Sequence, residues 1–173
     1  MSNALAISSI YDIKFDRKAN QIVTLQPFDS TPHLVRYALT PIVQKPASGP
    51  SYNLAVVNDL SDGTAFANVN SFAIDETNDT LVLLDTYVGQ VLFYGRTATS
   101  GPPLRPAFVP DGHVTGTPHA VAVAPAAGEL IIWGGELLPD GYNGDAIVTY
   151  PLTPRRALPR CASSWERARS FGT

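Results

Sequence analysis

Three histidines, His33, His113 and His119, and a scatter of carboxylates are the side chains through which this chain could do acid–base or metal chemistry. His119 follows Pro118 where the chain enters a strand-like run. His33 reads as a residue of a surface loop or strand edge, and His113 lies in Asp111-Gly112-His113, a turn by composition. Neither has an evident partner. Asp85 closes an apolar run, where a carboxylate accepts otherwise orphaned backbone N–H groups of the following loop or holds a cation. Asp16 and Asp75 stand at strand-to-turn positions and read as turn-holding residues in the same way. Asn70, Asp85, Tyr87 and His119 form the candidate ligand-binding set. Two acidic stretches, 75–80 and 140–145, lack the alternating oxygen ligands, central glycine and distant glutamate of a calcium loop, so both read as turns. Asn78-Asp79-Thr80 is formally a glycosylation acceptor, which has meaning only in a secreted chain. No G-x-S-x-G elbow, H-E-x-x-H pair, phosphate-binding loop or paired-cysteine motif is present. The single cysteine, Cys161, can form no intrachain disulfide, which fits a reducing compartment.

The elements that must position these residues repeat. With Asp16, Asp75 and Ala124 as anchors, residues 13–25, 72–84 and 121–133 align without a gap. Each copy opens with an alternating strand, such as Tyr11, Ile13 and Phe15 between polar residues. A polar turn follows at 17–20, 76–79 or 125–128. Then comes a nearly continuous apolar strand at 21–25, 81–84 or 130–133, whose composition implies burial on both faces. After a loop of variable length, a third strand ends on Tyr37, Tyr94 or Tyr150. That recurring tyrosine suits packing between repeats, its ring buried and its hydroxyl wet. Copies one and three share Tyr37-Ala38-Leu39-Thr40-Pro41 and Tyr150-Pro151-Leu152-Thr153-Pro154. Fourth strands are expected at 54–58 and 106–109, and prolines there suit an edge.

The anchors lie 59 and 49 residues apart, and four short strands in about 40–50 residues is the size of one β-propeller blade. Fifteen prolines and 13 glycines leave little room for helices. The expected fold is therefore all-β: a propeller-type array of four-stranded antiparallel blades forming an incomplete ring over residues 1–154. Residues 155–173 carry five of the 12 basic residues and no alternation, and read as a disordered or foreign Arg-rich tail. The alternative is a short surface helix with Trp165 packed down. A net charge of −3 gives no electrostatic case for nucleic acid or an anionic membrane surface. No run reaches the roughly 18 apolar residues of a spanning helix. No basic stretch followed by an apolar core opens the chain, so no signal peptide is expected and the cytoplasm is the default compartment.

Copy two, from Asn70-Ser71-Phe72-Ala73-Ile74-Asp75 through Leu81-Val82-Leu83-Leu84-Asp85-Thr86 to Gln90-Val91-Leu92-Phe93-Tyr94, resembles the NHL repeat. Copy three, with Thr117-Pro118-His119-Ala120-Val121-Ala122-Val123-Ala124-Pro125 and Leu130-Ile131-Ile132-Trp133, is similar to the repeats of streptogramin lyases and related propellers. The resemblance implies blades around a channel and makes Asp85 structural. It also suggests an acid–base role for His119. It implies no single function, because propellers host many activities. About three blades fall short of the four to eight that close such rings. The expected function is a non-catalytic binding or scaffold module whose variable loops take a protein, glycan or small molecule, with a homodimer completing the ring. The alternative is a lactonase-like hydrolase or lyase needing a divalent cation held by Asn70, Asp85 and His119. A further alternative is a truncated product without a function of its own.

Overall fold

The computed structural model describes residues 9–28, 31–41, 52–61, 66–105, 107–109, 117–137 and 143–152. The tail at 155–173, Cys161, the 111–113 turn and residues 138–142 lie outside them. The described residues hold ten strands and no α-helix. The first sheet runs β1 (Asp12–Asp16), β2 (Gln21–Phe28), β3 (Thr31–Pro41) and β4 (Tyr52–Leu60) in sequential order. The second holds β5 (Val69–Asp75), β6 (Thr80–Asp85) and β7 (Gln90–Gly95), and the third β8 (Pro118–Ala124), β9 (Glu129–Leu137) and β10 (Asn143–Pro151). Every pairing is antiparallel between chain neighbours.

The three anchors each end the first strand of a sheet. The turns that follow close on Asn20 (φ 53°), Asp79 (φ 51°) and Gly128 (φ 66°), and the β6–β7 turn closes on Gly89 (φ 68°). Left-handed backbone admits glycine freely and tolerates Asn and Asp, so the residue type at this one position fixes where each hairpin reverses.

Two apolar layers join the sheets. Val23, Leu25, Leu34 and Leu60 of the first sheet pack with Phe72, Leu81, Leu83, Leu92 and Tyr94 of the second. Ala73, Val82, Leu84, Val91 and Phe93, on the opposite face of that second sheet, pack with Val121, Leu130, Ile132, Val148 and Tyr150 of the third. The central sheet is thus covered on both sides, which accounts for the unbroken apolar run 81–84. Burying one such side chain contributes about 1.5–3 kcal/mol. The strands nearest one another across the sheets are β1, β5 and β8.

Several sequence expectations need correction. Among the described residues, the fourth strand of copy two is a single bridge between Val91 and Phe108. Nearby, the Phe93 carbonyl accepts the Leu104 N–H at 2.7 Å. Trp133 is 43 % exposed rather than buried, because the far face of the third sheet has no described sheet against it. His33 lies inside β3 and faces Asp59 of β4, with Nδ1 2.8 Å from a carboxylate oxygen. The Tyr37 hydroxyl is not wet: it accepts a hydrogen bond from Gln26 Nε2 at 2.8 Å in a buried setting.

Candidate functional site

At the end of the stack where β1, β5 and β8 begin, a cavity of about 310 Å³ opens between the sheets. Tyr11 ahead of β1, Pro32 of β3, Asn70 of β5, Thr86 and Tyr87 of the β6–β7 turn, and Thr117 ahead of β8 line it, with Ala67 and Asn68. The lining offers two amides, two threonine hydroxyls and two phenols, and none of its side chains carries a charge at neutral pH.

Local hydrogen bonds set this wall. Asn70 Nδ2 donates to Thr86 Oγ1 at 2.7 Å, and Thr86 Oγ1 and its backbone N–H both reach the Asn68 carbonyl, at 3.3 and 3.1 Å. Asp85 sits beneath the turn, 3 % exposed, and accepts the N–H groups of Tyr87 (2.9 Å) and Val88 (3.0 Å). Its carboxylate therefore shapes the loop that carries Tyr87, whose ring stands 82 % exposed at the rim. Asp75 holds its own turn in the same manner, accepting from the N–H groups of Thr77 and Asn78.

Of the four candidate ligand-binding residues, Asn70 and Tyr87 are brought together in the cavity wall. Asp85 supports the wall without lining it. His119 lies elsewhere, its ring 5.0 Å from that of Trp133 on the outer face of the third sheet. Among the described residues no three His, Cys, Asp or Glu side chains gather as ligands of a metal ion. Sequence reasoning overlooked Tyr11, although the signal was present: Tyr11, Asn70 and His119 stand at the same distance before the three anchors. Asn70 and His119 also coincide with register shifts at the starts of β5 and β8. A bulge there re-aims a side chain away from the alternating pattern.

Asp16 holds its turn as its position suggested, but its arginine partners escaped sequence reading. Asp16, fully buried, binds two arginines: Arg36 Nη1 at 2.8 Å and Arg96 Nη1 at 2.7 Å. The Ala19 N–H donates to the same carboxylate at 3.0 Å. Arg36 Nη2 also donates to the Arg96 carbonyl. Burial pushes the Asp16 carboxyl upward, but the Ala19 N–H and the two guanidinium groups outweigh it and hold it below the usual carboxylate range. Burial lowers Arg36 from its ordinary value. Farther out, Lys18 and Arg96 bind Asp79 at 2.7 and 2.9 Å and hold its carboxyl low as well. This cluster ties β1 and β3 to the chain beyond β7. It lies at the opposite end of the sheets from the cavity, by the turns that follow β1 and β5.

Comparison with known proteins returned no match: no family model, no curated protein and no solved structure corresponds to the chain.

Proposed function

We propose that the three sheets are consecutive blades of a propeller-type arc, of the kind the NHL-like and streptogramin-lyase-like motifs suggest, and that the arc is a non-catalytic binding module. The observation that carries this reading is the cavity where the first strands begin, lined from the first two sheets and their turns and by Thr117 ahead of the third. Two apolar layers hold these sheets in fixed relation, so the loops that project from their ends form a preorganised surface. A wall of amides, hydroxyls and phenols suits a neutral, hydroxyl-rich ligand such as a mono- or disaccharide. Asn70 and the threonines exchange hydrogen bonds with ligand hydroxyls, and Tyr87 or Tyr11 offers a ring for an apolar sugar face.

Saturation-transfer NMR against a panel of mono- and disaccharides tests this. Transfer to at least one sugar is expected in the wild type and is lost in Asn70→Ala and Tyr87→Ala. A panel with no binder, or a binder indifferent to both substitutions, refutes the reading. So does a hydrolase or lyase activity that His119→Ala abolishes while the fold stays intact.

A further inference from the structure

The two joints inside the stack follow one rule, and the outer faces obey its two halves. At each joint, bulky residues of one first strand rest on smaller or flexible residues of the preceding first strand. Val121 and Val123 of β8 meet the side of β5 that carries Ser71 and Ala73, and Phe72 of β5 meets Lys14 of β1, whose ammonium lies 5.7 Å from the ring centre. On the outer side of β8 stand Ala120 and Ala122, the register equivalents of Ser71 and Ala73. Beside them, Ile131, Trp133 and Ile147 repeat the places of Val82, Leu84 and Val91, which are buried in the joint between the second and third sheets. On the outer side of β1 stand Ile13 and Phe15, the equivalents of Phe72 and Ile74. Ile13 and Phe15 are 54 % and 48 % exposed, and Ile147 is 60 % exposed. Farther out on the first sheet Val35 and Tyr37 are already buried, while Leu54 and Val56 of β4 on the same face are about half exposed, so β1 and β4 are the open parts of that face.

We infer that the outer face of the third sheet binds the outer face of the first sheet of a second copy of this chain, β8 against β1. This rests on the propeller-type arrangement proposed above. Two copies then supply six sheets and close a ring through two identical joints, within the four to eight blades that such rings take. The polar groups at the new joint are compatible with closure. At the two internal joints a side chain of the preceding first strand accepts the next strand's N–H: Asp12 takes that of Phe72 and Ser71 that of Val121, each at 3.2 Å. Ala120 has no acceptor to offer at the equivalent place. The matching donor, the Ile13 N–H, is already bound by its own neighbour's carboxylate, Asp12 Oδ1, at 2.8 Å. The joint therefore closes without stranding a buried donor.

Light scattering coupled to size exclusion, on the wild type and on Ile13→Glu and Ile147→Glu, tests the inference. Each variant spoils one outer face at an exposed position, and thermal unfolding confirms that each remains folded. The wild type is expected at twice 18.5 kDa and each variant alone at 18.5 kDa. An equimolar mixture of the two variants regains the doubled mass, because each contributes the face the other lacks. A wild-type monomer overturns the inference. A variant that keeps the doubled mass alone also overturns it, since that requires one face to pair with itself. A mixture that stays at 18.5 kDa does the same. Sugar binding recorded on the monomeric variants separates this result from the fate of the binding reading.

Discussion

The two internal joints are built from different materials. Between the first and second sheets the apolar layer is accompanied by charges: Asp16 with Arg36 and Arg96, Asp79 with Lys18 and Arg96, and the Arg17 N–H on the Glu76 carboxylate at 2.5 Å. Between the second and third sheets the joint is almost wholly apolar, with the ring of Phe108 edge-on to Tyr150 at 5.1 Å. Its main polar clamp is Arg105, which lies over the Phe93 ring and donates to the Leu152 carbonyl at 2.7 Å. The first joint therefore has a required geometry, because a buried guanidinium tolerates no misalignment. The second tolerates any repacking that conserves volume. The stacking of these three sheets does not depend on one chemistry, and the joints should fail under different conditions.

Three substitutions and two conditions sharpen that contrast. Asp16→Asn should cost the most, about 4 kcal/mol, because it leaves Arg36, 2 % exposed, without its carboxylate. Chemical denaturation measures it. Leu84→Ala, fully buried in the apolar joint, should cost about 3 kcal/mol through lost burial and a residual cavity. Its cost should be the same at low and high salt, whereas salt should alter the stability contributed by the Lys18–Asp79 end of the charged joint. Ser71→Ala should cost about 1–2 kcal/mol by orphaning the Val121 N–H and releasing Asp12. Acid should weaken the first joint. The Asp16 carboxyl is lowered in the folded chain, so its contribution is complete above its unfolded value of about 3.9 and is lost as pH falls through the lower folded value. Denaturation midpoints followed below about pH 4 should drop in the wild type and flatten in Asp16→Asn.

Much of the fold could be read from the chain because its period is repeated. The anchors, the four-residue turns and the strand alternation fix the hairpins locally, and Asp16, Asp75 and Ala124 each stand where a first strand ends. What could not be read depended on neighbours in space. Arg36 sits inside Leu34-Val35-Arg36-Tyr37, and nothing in that stretch announces that its partners lie 20 and 60 residues away. His33 looked isolated because Asp59 is 26 residues on, across a strand pair. The site was half legible. Asn70 and Tyr87 came from the second repeat, while Tyr11, at the matching register of the first, was read only as a residue of the alternating strand. His119 shares their register, and its ring lies against Trp133 on the open face.

The strictly sequential pairing of strands has a kinetic consequence. No strand waits for a distant stretch of chain before it can pair, so each hairpin closes a short loop at low entropic cost. Order then spreads from sheet to sheet as in other repeat arrays, and the second sheet, which completes both apolar layers, is the natural place for it to begin. Amides of β6 should accordingly be the slowest to exchange with deuterium and those of β4 and β8 among the first of the paired strands to do so. A chain of this design assembles outward from its middle.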